Sequence, residues 1–306
     1  MALSRTHTPD HDHSHAPVNY NRAFAIGVAL NVTYIVLEAT YGFLAESLAL
    51  LADAGHNLSD VLGLLLAWGA NYLVKRKPTE RHTYGWRKST ILAALTNAII
   101  LLVAMGGIAW EAVRRFGDPL PVAGKTIMIV AAIGVVINTA TALLFLSGRK
   151  SDLNIRGAFL HMAADAGVSA GVVVAGLVIQ VTGWLWVDPV VSLIITGIIV
   201  VGTWSLLQDS FNLALDAVPA DIDPEAVKSY LSELPGIAGI HDLHIWAMST
   251  SETALTVHLL KPNVEDDDMM IEQVSRVLRD RFGIDHITIQ WERQSELNHC
   301  GGSCEI

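Results

Sequence analysis

Charge is scarce in this 306-residue chain: Asp, Glu, Lys and Arg together make up 16%, against roughly 25% in an average soluble domain. Apolar residues reach 52% and the mean hydropathy is +0.42. That balance excludes an ordinary soluble enzyme and a disordered chain. Cysteine is nearly absent, with only Cys300 and Cys304, which excludes a disulfide framework. No basic stripe occurs, so a nucleic-acid partner is excluded. No G-x-x-x-x-G-K-[ST] loop occurs either, which excludes a nucleotide-driven pump. The first 21 residues lack an apolar core, so no cleavable signal peptide is expected.

Long apolar runs, by contrast, are plentiful. A spanning helix needs about 20 mostly apolar residues, and six stretches qualify: 23–44, 48–74, 90–112, 126–147, 157–182 and 187–208. Lys and Arg number eleven at the N-terminus and in the loops after the second and fourth spans, against three on the other side. By the positive-inside rule both termini face the cytoplasm. The acid excess is confined to the end of the chain. Residues 216–306 hold 17 acids and 6 bases, a net of −11, and leave the remainder at +1.

The expected organisation is a His-rich segment over 1–21, a six-span transmembrane domain over 22–208, a cytoplasmic domain over 209–292 and a Cys/His tail over 293–306. Helical spacing over Pro224–Leu234 and Met269–Phe282, with alternating strands Ile240–Ala247, Thr253–Leu260 and Ile284–Trp291, predicts an α-β-β-α-β, ferredoxin-like α+β domain. The fold class is therefore a membrane all-α six-helix bundle plus this C-terminal α+β domain.

Ionisable residues inside spans are costly and point to function. The second span carries His56 and Asp60 and the fifth His161 and Asp165. Each pair has the i, i+4 spacing that puts both side chains on one helix face. One such pair alone could be helix glue or a proton relay. Two pairs supply two imidazoles and two carboxylates, a donor set that suits tetrahedral Zn²⁺. Asn31 and Glu38 share a face of the first span, and Asp53 and Asp188 lie near the outer ends of the second and sixth. These four read as groups lining the path or backing the site, the alternative being helix caps and interhelical bonds. Asn138 reads as packing.

The stretches Ser47-Leu-Ala-Leu-Leu-Ala-Asp-Ala-Gly-His-Asn-Leu-Ser-Asp60 and His161-Met-Ala-Ala-Asp-Ala-Gly-Val-Ser169, with the six spans and acidic tail, resemble the cation diffusion facilitators. The resemblance covers roughly Arg22 to Glu292. It implies Zn²⁺ efflux from the cytoplasm in exchange for H⁺, a transport site of His56, Asp60, His161 and Asp165, a homodimer and a non-enzymatic protein; short loops and the compact tail favour a bacterial inner membrane. His at the first ligand position implies a zinc preference, with Co²⁺ as the expected second substrate. A regulatory or structural Zn²⁺ in the tail is implied at His241, His258 and Glu292, with Gln290 where some members have His.

Cys300 and Cys304 are candidate metal donors, and the N-terminal histidines a candidate collecting segment. Lys88 and Asp216 could form a charge interlock. In the loop between the second and third spans only His82 remains of a second site some members carry, so that site is expected to be absent or weak. A membrane-bound zinc sensor that binds without transporting is the rival reading. An intramembrane zinc hydrolase is disfavoured, because four inward donors leave no position for water.

Overall fold

A computed structural model describes residues 21–146, 153–262 and 267–293. Six long helices come first: α1 (Asn21–Leu44), α2 (Leu48–Val74), α3 (Ser89–Arg115), α4 (Gly124–Phe145), α5 (Leu153–Thr182) and α6 (Val187–Ala214). At 1.5 Å per residue the 27 residues of α2 or α3 run about 40 Å, longer than a hydrocarbon core of roughly 30 Å. Among the described residues, four stretches are by length and hydropathy sufficient to cross a membrane: α3, residues 124–144 of α4, residues 159–182 of α5, and α6. In α1 the described apolar stretch, Ala29–Leu44, is shorter. Helix α2 falls outside this group, and its composition gives the reason: Asp53, His56, Asn57, Ser59 and Asp60 occupy two successive turns. The sixth helix also runs past the expected limit of 208 to Ala214.

Within the bundle α4 packs on α5 and α3 on α6, while α2 lies against α1, α3 and α6. The α4/α5 contact is close because glycine permits it. A Cβ on Gly176 would stand 2.7 Å from the Met128 nitrogen, and one on Gly124 would stand 2.9 Å from the Gly176 oxygen. Small residues at helix crossings are how membrane helices gain van der Waals contact when water exclusion offers nothing. The outer face stays apolar and exposed, with Trp68, Val103, Val181 and Val201 all more than 70% accessible.

The turn from α1 to α2 is fixed by polar groups at one end of the bundle. Ser47 caps α2, its hydroxyl accepting from the Leu50 N–H. Asp188, at the start of α6, accepts from the Ser47 hydroxyl at 2.6 Å and from the Leu48 N–H at 2.9 Å. Its carboxylate thus sits at the positive end of the α2 dipole. Arg115, the last residue of α3, donates to the Glu46 carbonyl and lies 4.0 Å from Asp188.

The C-terminal part follows as α7 (Pro224–Ser232), β1 (Gly239–Ala247), β2 (Thr253–Leu260), α8 (Asp267–Phe282) and β3 (His286–Glu292). Asp223 starts α7 by accepting from the Glu225 and Ala226 N–H groups, with Pro224 at the first helical position. The sheet order is β1-β2-β3, antiparallel between β1 and β2 and parallel between β2 and β3. Leu255, Val257 and Leu259 of β2 bury one face against Val227 and Leu231 of α7 and Val274 and Leu278 of α8. Period-two alternation then turns Thr256 and His258 to the other face. An extra residue in β1 between His241 and His244 forms a bulge, absorbed at Asp242 with φ +54°. It resets the alternation, so Ile245 again faces the core.

Candidate metal centres

The motif pairs of α2 and α5 face each other. His161 Nε2 lies 3.1 Å from Asp60 Oδ2, and His56 Nε2 lies 3.7 Å from both Asp60 Oδ2 and Asp165 Oδ1. His161 Nε2 is 3.7 Å from Asp165 Oδ2, and the two imidazole rings meet edge to face, centroids 5.9 Å apart. A tetrahedron with arms of about 2.0–2.1 Å has edges of roughly 3.3–3.4 Å. The four His–Asp separations of 3.1–3.7 Å bracket that edge, two of them running to different oxygens of Asp165. Ligand atoms of His56, His161 and Asp165 fall within 4.8 Å of one another. Asp165 is 2% exposed, whereas the His161 side chain is 42% and Asp60 36% exposed. The cluster is therefore closed on one side and open on the other.

On its closed side lies a polar chain. Glu38 is fully buried and accepts from the Tyr34 hydroxyl at 2.7 Å. The Asn57 amide donates to Glu38 at 3.4 Å and to Asp53 at 3.5 Å, and Ser169 donates to Asp53 at 3.0 Å. Glu38, Asp53, Tyr34, Asn57 and Ser169 thus form one network one turn from His56. Asn57 and Ser169 fall inside the quoted motif stretches without a role assigned to them, and Tyr34 is not singled out at all; a polar residue in an apolar span is the signal that marks them. Asn31 stands apart, its amide 3.4 Å from the Met162 sulfur. Asp188 sits at the α2 cap, away from the cluster. Asn138 is buried.

A second cluster occupies the open face of the sheet. His241 and His258 are register partners on β1 and β2, their rings 5.2 Å apart. Glu292, at the end of β3, reaches both: Oε2 to His241 Nε2 at 3.1 Å and Oε1 to His258 Nδ1 at 2.9 Å. Gln290, opposite His258 in the parallel register, donates to Glu292 at 3.5 Å. The bulge brings in Asp242, whose Oδ2 is 3.6 Å from His258 Nε2 and whose Oδ1 is 2.9 Å from His244 Nε2. Its left-handed backbone has no marker in the sequence pattern, so Asp242 is missing from the expected donors. Two imidazoles and one carboxylate at these distances fit a Zn²⁺ ion, with Asp242 placed to orient His258.

Lys88 meets Asp216 at 2.6 Å where α6 hands over to the C-terminal part. Two contacts that the sequence does not indicate stand beside it: Arg87 with Glu252 at 2.7 Å, and the Thr250 N–H donating to the Thr90 hydroxyl at 3.1 Å. His82 stacks on Trp86 and bonds within its own turn to Thr79. Cys300, Cys304 and the N-terminal histidines lie outside the described residues.

Residues 24–213 match the cation efflux transmembrane domain and residues 219–294 the cation efflux protein cytoplasmic domain. The chain belongs to the cation efflux family. Relatives of this family align nearly end to end with it. Zinc transporter ZitB of Escherichia coli (strain K12) is 37% identical over 94% of this chain and 93% of its own. The metal cation efflux system protein CzcD of Cupriavidus metallidurans is 35% identical over 92% of this chain and 89% of its own. A cadmium, cobalt and zinc/H(+)-K(+) antiporter of Bacillus velezensis is 34% identical over 94% and 93%. Membership of the family makes the chain an integral membrane transporter, and the matched transmembrane segment runs from the first turn of α1 to the last turn of α6.

Proposed function

We propose that this cation efflux protein exports Zn²⁺ from the cytoplasm in exchange for H⁺. His56, Asp60, His161 and Asp165 form the transport site, and the protein works as a homodimer in a bacterial inner membrane with both termini cytoplasmic. The observation that carries the reading is the convergence of two i, i+4 His/Asp pairs from α2 and α5, with His–Asp N···O separations of 3.1–3.7 Å. The name zinc transporter borne by one relative supports the choice of ion, and the name cadmium, cobalt and zinc/H(+)-K(+) antiporter borne by another includes H⁺ among its counter-ions.

The chemistry follows from the donors. Imidazole and carboxylate hold a metal only when deprotonated, so metal binding releases protons and proton arrival weakens the metal. Imidazole is the side chain whose unperturbed pKa, about 6.5, lies nearest to neutral pH, which suits it to that exchange. Presenting the site alternately to the two sides then ties outward metal movement to inward proton movement. The cluster of His241, His258 and Glu292 binds a regulatory Zn²⁺ that lowers the repulsion between the acidic C-terminal domains of two subunits.

The test is zinc uptake into proteoliposomes driven by an imposed pH gradient, in the parent and in Asp165→Ala. Gradient-dependent uptake in the parent and its loss in the variant support antiport through this site. Zinc binding without uptake in the parent favours the sensor reading instead.

A further inference from the structure

We infer that the junction of the bundle with the C-terminal part holds the headgroup of an anionic phospholipid. A cavity of about 500 Å³ opens between the last turn of α2, the turn after it, the first turns of α3 and the end of β1. Its walls are of two kinds. Leu73, Leu92, Trp246 and Met248 give an apolar side, and Arg81, Arg87 and Lys88 give a cationic side. No Asp or Glu lines it.

Most of the lining comes from the segment between the second and third helices. The segment 75–88 holds six cations, namely Lys75, Arg76, Lys77, Arg81, Arg87 and Lys88, against the single acid Glu80. Arg87 and Lys88 each spend one face on an acid outside the cavity, Glu252 and Asp216. Arg81 is exposed and has no ion pair among the described residues. Tyr84 and Trp86 are 50% and 40% exposed beside it, aromatic rings of the kind that settle at headgroup depth.

Location selects the ligand. The cavity lies where membrane helices end and a water-soluble fold begins, the level at which phosphate groups of a bilayer sit. Basic pockets between helices at that level recognise anionic lipid headgroups. The apolar wall would receive the glycerol and upper acyl carbons, which a free phosphate ion does not possess. The inference rests on the bundle's membrane-spanning character and is independent of the transport reaction.

The experiment is native mass spectrometry of the full-length protein in detergent, titrated with dioleoyl phosphatidylglycerol or dioleoyl phosphatidylcholine. The parent should retain phosphatidylglycerol selectively. Arg81→Gln should weaken that retention about fivefold, the weight of one basic residue at an anionic surface, and Trp86→Ala should weaken it as well. Millimolar inorganic phosphate should leave it unchanged. Equal retention of the two lipids by the parent, a result that needs no variant to fold, overturns the proposal. So does displacement by phosphate, which marks an ion site. Variants that change the oligomeric state while retaining the lipid overturn it too, and assign the cavity to a second copy of the chain.

Discussion

Two imidazoles stand in the membrane cluster, and in the proposed site one of them is a point of ion choice. His56 would offer nitrogen where a carboxylate would offer oxygen, and nitrogen donors suit Zn²⁺, Co²⁺ and Ni²⁺. His56→Asp should therefore lower zinc binding and raise the ratio of cadmium to zinc taken up, measured by competitive uptake of the two ions. In the sheet, Asp242 stands 3.6 Å from the His258 nitrogen that Glu292 leaves free, near enough for charge to act on it. Asp242→Ala should weaken zinc capture there by about tenfold, the usual weight of an orienting partner. Competition with a chelating dye, in a background where Asp165→Ala silences the membrane cluster, reads this directly. The two residues differ in legibility. His56 announces itself because a charge-capable group in an apolar span is costly. Asp242 lies in an exposed strand where acids are ordinary, and only the bulge aims it at the cluster.

At the level of elements, the helices and strands follow from periodicity, and their limits fall close to those the apolar pattern predicts. The contacts between them do not, because a span looks the same whichever neighbour it meets. The α4/α5 crossing depends on Gly124 and Gly176, which sequence alone cannot separate from Gly171, where nothing lies within 4 Å of an added Cβ. Gly176→Leu should push the two helices apart and destabilise the protein by about 1–3 kcal/mol, whereas Gly171→Leu should be near neutral. Thermal unfolding of the detergent-solubilised pair separates them. The network behind the cluster is similarly hidden. Glu38 and Asp53 are visible as buried charges, but nothing in their spacing tells that Asn57 bridges them or that Ser169 arrives from α5.

Across the whole molecule, polar contacts between the bundle and the C-terminal part among the described residues include Lys88 with Asp216, Arg87 with Glu252, and Thr250 with Thr90. The first two are solvent-accessible pairs, each worth no more than about 1 kcal/mol, so each should tolerate loss of one partner. Lys88→Glu should loosen the joint, and adding Asp216→Lys should restore it; protease sensitivity of the segment after Ala214 measures both. The upper end of α2 behaves differently. Asp188 and Arg115 fasten it to α6 and α3, and α4 and α5 lie backbone to backbone. Each His/Asp pair lies on a single helix, His56 with Asp60 on α2 and His161 with Asp165 on α5. Sliding α5 along α2 would therefore split the four donors two and two while deforming neither helix. In the proposed site, grip on a cation would be a property of the seam between two helices rather than of either one.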